Sequence, residues 1–226
     1  MATTLGDIIT LALQRADLEN SNFIPTNESI FLANSSLAEL YGILATSYED
    51  YFTESTEFSI PDGADGYDLA TNFFKIRGLD FFTGGQYVNV HRFNFEDRNT
   101  INRPINLLLI GLNDMRYRIT GKKLYIIPND MAGGQYRLWF IPKFSPLVSL
   151  TDPILSNLEM EDWFEYAIVD VAIKMLQKEE SDTQLLMLQK QQLAARIVAE
   201  SMNRDSAQPE RVTDIRTSPY AGIWRY

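Results

Sequence analysis

Closely spaced carboxylates are the first candidates for chemistry in this sequence. Asp62, Asp65 and Asp68 stand at every third position around two glycines, and hard cations such as Ca²⁺ bind carboxylate oxygens. The spacing lacks the one-three-five pattern and the closing glutamate of an EF-hand loop. Glycine and aspartate at this density are typical of tight turns. We therefore interpret the segment as a turn and predict no metal site there.

Other residue types that support catalysis are scarce. The chain has no cysteine and a single histidine, His91. This composition excludes thiolate metal sites, cysteine nucleophiles and disulfides. The sequence has neither a Walker-type phosphate loop nor a Gly-x-Ser-x-Gly nucleophile elbow. We predict no catalytic, cofactor-binding or metal-binding residues, although the many acidic residues leave a carboxylate-based hydrolase open as an alternative.

A basic and aromatic cluster is predicted on strands between residues 116 and 141. Its members are Arg116, Arg118, Lys122, Lys123 and Arg137, with Tyr117, Tyr125 and Trp139. Nucleic-acid interfaces combine these residue types, but the whole chain carries a net charge of −10. The cluster suits contact with an acidic neighbour at least as well as phosphate binding. We predict inter-subunit contacts for Arg118, Arg137 and Trp139.

Two helices are predicted over residues 1–54. Thr4 is a suitable cap for the first, with Asp7 near the positive end of the helix dipole. The second restarts at Pro25 and has apolar residues at steps of three and four. These residues are Ile30, Ala33, Leu37, Leu40, Tyr41, Leu44, Tyr48 and Tyr51. The stripe is predicted to face the core, and a stripe of this length can also pack against a neighbouring subunit.

A β-rich insertion is predicted over residues 55–150, where short apolar segments alternate with turn sequences. Its best-supported unit is a three-strand meander of residues 116–120, 123–127 and 135–141. Two more helices are predicted over residues 152–205, and the short connection between them predicts an antiparallel hairpin.

The residues after Arg204 lose helical periodicity and are predicted to form an extended arm. Bulky apolar groups in such a segment are costly in water unless they dock on a folded surface. That surface is either the chain's own body or a partner. The predicted docking residues are Ile215, Tyr220, Ile223, Trp224, Arg225 and Tyr226.

The predicted fold class is mainly α with a β insertion. A helical bundle combines the two N-terminal helices with the C-terminal helical hairpin, over residues 1–54 and 152–205. A small antiparallel β-region occupies residues 55–150, and the extended C-terminal arm occupies residues 206–226.

The negative charge is concentrated near the start of the chain. Residues 1–70 contain twelve acidic residues and one basic residue, Arg15, whereas residues 71–226 are close to neutral. This segment is either a solvated surface that aids solubility or a surface that passes close to DNA without binding it. Because no basic signal-peptide region and no bilayer-spanning apolar run are found, we expect a soluble, unexported protein without a membrane partner.

Several short stretches carry a family resemblance. Residues 4–9 open a helix, residues 48–52 close the second helix, residues 58–61 and 67–76 follow, and residues 161–175 start the hairpin. With these stretches in this order and a C-terminal arm, the chain resembles the head-to-tail adaptor (connector) proteins of tailed bacteriophages. Ala70 stands where that family usually has proline.

The resemblance implies a non-enzymatic virion protein of the neck or tail, made in the host cytoplasm. It implies a ring of this chain, a dodecamer, beneath the portal protein and above tail or nozzle proteins. DNA passes through the lumen without specific binding, and residues 1–70 would face that channel. The arm would reach neighbouring subunits or the portal. The alternatives are another virion ring or tail-tube component, in which the β-region makes the ring, and the hydrolase.

Overall fold

The computed structural model describes residues 3–21, 23–64, 66–94, 115–127, 132–154 and 160–202. Within these ranges the helices are α1 (Leu5–Arg15), α2 (Thr26–Ser47), α3 (Phe164–Lys178) and α4 (Gln184–Met202). The strands are β1 (Glu54–Ile60), β2 (Tyr67–Asp68), β3 (Phe73–Thr83), β4 (Gln86–Asn89), β5 (His91–Arg92), β6 (Arg116–Thr120), β7 (Lys123–Ile127) and β8 (Gly134–Pro142).

Thr4 caps helix α1, as the sequence predicts, and Asp7 makes the cap reciprocal, which was not predicted from the sequence. The backbone N–H of Asp7 donates to Thr4 Oγ1 at 3.2 Å, and the backbone N–H of Thr4 donates to Asp7 Oδ2 at 2.8 Å. Both bonds satisfy amides that have no partner inside the helix. The hydrogen bonds from Thr4 hold the pKa of the Asp7 carboxyl below its ordinary value. The cap at Thr4 therefore determines that helix α1 begins at Leu5.

The apolar stripe of α2 lies in the core of its own chain. Ala33, Leu37, Leu40 and Leu44 have no exposed surface, so this stripe is not available to a neighbouring subunit. Helix α2 ends earlier than the stripe suggests, and a short 3₁₀ helix (Glu49–Phe52) follows it.

Helices α3 and α4 form the predicted antiparallel hairpin. Arg196, late in α4, lies 6.0 Å from the ring of Trp163, which precedes α3. Lys190, near the middle of α4, pairs with Asp170 in the middle of α3 at 2.7 Å. Residue numbers therefore rise along one helix as they fall along the other. The buried residues of all four helices form one hydrophobic cluster.

The strands form two four-stranded sheets, with the orders β1-β8-β3-β4 and β2-β7-β6-β5. Buried side chains of both sheets share a second hydrophobic cluster, so the sheets pack face to face as a sandwich. The β3–β4 turn uses Gly84 and Gly85, whose φ angles of 58° and 83° are rare for other residues.

The predicted three-strand meander is wrong. Strands β6 and β7 pair as expected, but β8 pairs with β1 and β3 in the other sheet. Tyr136 on β8 lies opposite Phe58 on β1 and Phe81 on β3, and Leu138 lies opposite Leu79. Periodicity shows which residues of a strand face inward but not which strand lies beside it. Burial of β8 between two apolar neighbours decides the pairing.

The predicted fold class, mainly α with a small antiparallel β insertion, is also wrong. Of the described residues, 43% are helical and 28% are in strands, which form two four-stranded sheets, so the fold is mixed α/β. One pair, β5 with β6, is parallel. The sequence patterns predicted strands between residues 55 and 150 but did not show that they form two sheets, because strand pairing joins residues that are far apart in the chain.

The extended arm predicted for residues 206–226 lies outside the described residues, and the domain boundaries stay a prediction. Across the described ranges, none of the helices combines the length and the apolar character that a bilayer-spanning segment requires.

Truncation of a core side chain of α2 tests this packing. Leu37 is fully buried, so Leu37→Ala should lower the free energy of unfolding by about 3 kcal/mol through lost contacts and a cavity. Leu185→Ala is the control, because Leu185 is 81% exposed; it should change stability by less than about 0.5 kcal/mol. Urea denaturation measures both, and equal effects would contradict the assignment of the buried face.

Candidate functional site

The three residues predicted to make inter-subunit contacts lie on two different sheets. Arg137 and Trp139 are on β8, on the face of the first sheet that points away from the sandwich core. Arg118 is on β6 in the second sheet. The structure therefore brings two of these residues together and separates the third from them.

Arg137 and Trp139 are engaged by side chains of their own sheet. Arg137 Nη2 lies 2.6 Å from Glu57 Oε1, and its guanidinium lies 3.9 Å from the centre of the Tyr87 ring. Trp139 Nε1 donates to Asp80 Oδ2 at 2.7 Å. Hydrogen bonds from Arg137 and Tyr87 lower the pKa of Glu57. These contacts neutralise the Arg137 charge within the sheet.

The other residues considered for chemistry do not converge. His91 is exposed on the two-residue strand β5. Asp62 is exposed in the segment before β2, and Asp68 is exposed within β2. Across the described part of the chain, no group of three or more histidine, aspartate or glutamate side chains is placed to hold a metal ion. Asp65 and the six predicted docking residues of the arm lie outside the described residues.

Folding neutralises much of the acidic N-terminal segment. Five of its carboxylates pair with lysines or arginines that come later in the chain. The pairs are Glu28 with Lys178, Glu39 with Lys190, Glu49 with Lys75 and Arg77, Asp50 with Arg77, and Glu57 with Arg137. Five of the twelve acidic residues in residues 1–70 are thus matched by cations from elsewhere in the fold, so the charge asymmetry of the sequence is in part an internal match.

The most buried charged group of the described chain is Asp170, on α3. Its side chain is 3% exposed, and its two oxygens lie 2.6 Å from Lys174 Nζ and 2.7 Å from Lys190 Nζ. Lys190 Nζ also donates to Glu39 Oε1 at 2.9 Å, and Tyr166 Oη donates to the same oxygen at 2.9 Å. We call these five residues the ionic clamp. It connects α2, α3 and α4 across an open groove of about 540 Å³.

The ionic clamp keeps its groups in their ordinary protonation states. Burial raises the pKa of Asp170, but hydrogen bonds from Lys174, Lys190 and Ser36 outweigh this, and the net pKa is lowered. Burial lowers the pKa of Lys190, but bonds to Asp170 and Glu39 raise it above its ordinary value. Burial raises the pKa of Tyr166, and its bond to Glu39 adds to this effect. The pKa values of all three groups are therefore shifted away from neutral pH.

These pKa directions are opposite to those that acid–base catalysis requires. A lysine or tyrosine base needs a lowered pKa, and a paired-carboxylate hydrolase needs one carboxyl with a raised pKa. The clamp combines two carboxylates with two ammonium groups, so it carries no net charge for an ionic substrate. Its geometry suits the fixing of three helices to one another.

Sequence reasoning missed the ionic clamp although a signal was present. Asp170 is the only charged residue between Tyr166 and Ile173, and Lys174 follows it by one helical turn. A lone acid in an apolar helical run requires a buried partner. The second lysine and Glu39 come from other helices, and sequence spacing does not connect them.

A second groove lies on the opposite side of α2. It has a volume of about 380 Å³ and is lined mainly by apolar groups of α2 and of the segment after β8. Asn34 holds that segment, since its side chain accepts from Leu147 N at 2.7 Å and donates to Leu147 O at 2.8 Å. Phe31, at the edge of the groove, is 70% exposed. We call this the outer groove.

No protein-family model matches the sequence, and no curated protein shows significant similarity to it. The resemblance to phage adaptors therefore rests on its residues and element order, and it stays a prediction.

Neutralising Asp170 tests the ionic clamp. Asp170→Asn should lower the free energy of unfolding by about 2–4 kcal/mol at neutral pH, because two partly buried ammonium groups lose the buried carboxylate that both contact. Because the folded-state pKa of Asp170 lies below its ordinary 3.8, its stabilisation is present above that value. The difference between wild type and variant should shrink as the pH falls through the folded-state pKa.

Glu57→Gln is the matched control, since it removes a carboxylate from the exposed pair with Arg137. Its effect on stability should be much smaller. Denaturant titrations of the three proteins across the acid range measure these effects. A pH-independent loss in Asp170→Asn would contradict an ionic role.

Proposed function

We propose that this chain is a structural subunit of a phage head-to-tail adaptor, which forms a ring beneath the portal and does not catalyse a reaction. DNA passes through the lumen without specific binding, and tail or nozzle proteins bind below. The subunit is made in the host cytoplasm and functions in the neck of the virion.

The location of the exposed apolar side chains carries this proposal. The three most exposed large apolar residues of the described chain are Val148, Leu185 and Phe31, at 83%, 81% and 70%. All three belong to the helices or to the segment that leads into α3. Leu188 follows Leu185 by one turn of α4 and is 57% exposed, so α4 presents adjacent apolar groups of the kind that favour binding between proteins. This surface supports a role in packing against other subunits.

The ionic clamp supports the same proposal. Its Lys190 and Tyr166 are held protonated, and its buried aspartate is a weakened base because its pKa is lowered, which does not favour hydrolysis. It ties α2 to the hairpin at mid-length, and a bundle fixed in this way keeps its outer faces in constant relative positions. Ring subunits need this rigidity because small angular errors accumulate around a ring.

The proposal does not require an acidic channel lining from the whole N-terminal segment, since much of that charge is paired internally. It assigns ring contacts to the bundle and portal contacts to the arm. A tail-tube component would instead make its ring through the sheets. In that case the internally engaged face around Arg137 and Trp139 would have to exchange its present partners for those of a neighbour.

Deletion of residues 209–226 tests the role assigned to the arm. The last described helix ends at Met202, so the deletion removes no described helix or strand. The truncated chain should therefore keep its circular dichroism spectrum and its urea midpoint. It should no longer join rings of the portal protein from the same genome, because the docking residues are removed. Negative-stain electron microscopy and co-sedimentation with the portal measure this.

Full-length chain carrying Phe74→Glu is the control, since Phe74 is 57% exposed and belongs to strand β3, not to a helix or to the deleted segment. It should bind the portal like the wild type. Normal capture of the truncated chain would count heavily against the arm as the docking element, and loss of capture in Phe74→Glu would favour a sheet-mediated ring.

A further inference from the structure

The outer face of α2 is unusual for a solvent-facing helix because it has no charge. Its residues are Asn27, Phe31, Ser35, Ala38, Gly42 and Thr46, and all of them are exposed. The two charged residues of α2, Glu28 and Glu39, are paired with Lys178 and Lys190 of the hairpin. A partner could therefore cover this face without burying an unpaired charge.

The small side chains on this face permit close approach of another helix. Ala38 and Gly42 follow Phe31 by seven and eleven residues, and a side-chain carbon added at Gly42 would have no neighbour within 4 Å. The outer groove runs beside them, between α2 and Phe144 and Pro146. The surface is thus an open, apolar concavity with one prominent aromatic ring at its edge.

A second uncharged stripe lies on the outward side of α4. Leu185, Leu188, Gln192 and Ala195 are all exposed, and their spacings of three, four and three residues place them on one line. Leu185 and Leu188 are 81% and 57% exposed. This stripe protrudes where the α2 face is concave, and α4 uses its opposite side for the core through Leu193 and Ile197.

We infer that the outer face of α2 in one copy binds the α4 stripe of the next copy, with Leu185 or Leu188 seated in the outer groove. This inference rests on the proposed ring. The two surfaces are different, one concave and one protruding. A contact between unlike surfaces produces a ring when its rotation closes, whereas a surface that binds itself produces a closed dimer. Neither surface has a charged side chain of its own, and Lys174, which donates to Ser35 of the α2 face, already has Asp170 as its counter-ion.

The size of the contact determines the design of its test. A helix pair in contact over about 20 Å, with a diameter of about 10–12 Å, covers on the order of 200 Å² per copy. A stable pair needs about 800 Å² per partner. One contact alone is therefore weak and short-lived, and ring closure or the portal would be needed to make it stable. A covalent trap captures the short-lived contact between two copies.

The absence of cysteine from the sequence allows disulfide trapping at chosen positions. The first variant combines Ala38→Cys with Leu188→Glu, which leaves only its α2 face able to bind. The second combines Leu185→Cys with Phe31→Glu, which leaves only its α4 stripe. A third, Phe74→Cys with Leu188→Glu, is the control for random collision. All substituted residues are exposed, so each variant should keep the wild-type circular dichroism spectrum.

One mixture contains the first and second variants, and the control mixture contains the third and second. Under mild oxidation the first mixture should form a mixed disulfide about tenfold faster than the control mixture, because binding raises the local thiol concentration. Neither the first nor the second variant alone should form disulfides above the control rate. A mixed rate equal to the control, or faster self-linking of either variant, would overturn the inference. Portal capture of the same variants through the intact arm is measured separately, so failure of this contact is distinguishable from failure of the proposed function.

Discussion

Strand β8 is the part of the chain on which both halves of the structure depend. Its residues Tyr136, Leu138 and Phe140 fill the sandwich core, and Ile141 belongs to the helical core. Tyr41 of α2 donates to the carbonyl of Pro142 at 2.6 Å, and burial, with Glu54 nearby, raises the Tyr41 pKa to about 12. The strand therefore joins sheet and bundle through packing and through this hydrogen bond. The donor, the Tyr41 hydroxyl, stays protonated at any physiological pH.

The ionic clamp gives the bundle a second fixed point, on the side away from the sheets. Together with β8 it holds α2 between two anchors, one apolar and one ionic. The outer face of α2 is consequently a rigid surface, and its lack of charge follows from the use of both its glutamates on the inner side. The same interactions that stabilise the monomer thus shape the surface that we assign to the ring.

Local features of the fold could be predicted because they depend on neighbours in sequence. The Thr4 cap, the buried stripe of α2 and the helical hairpin all depend on residues within one or two turns of each other. The strand pairing could not be predicted in this way. Strand β8 lies beside β1, about 80 residues earlier, and its register is set by cross-sheet packing. Arg137 was predicted from its type to contact a neighbour, but Glu57 on β1 already occupies it.

The sequence by itself determined the composition limits, the helix positions and the absence of cysteine chemistry, because these depend on residue identity and short-range spacing. Only the tertiary structure decided how the acidic N-terminal segment is used. Charges separated by more than a hundred residues along the chain, such as Glu28 and Lys178, become partners after folding. An excess of −11 in residues 1–70 therefore looked like a surface property in the sequence and is in part an internal match in the fold, where five of the twelve carboxylates are paired with later cations. For the same reason the uncharged face of α2 became visible only once its two glutamates had been placed.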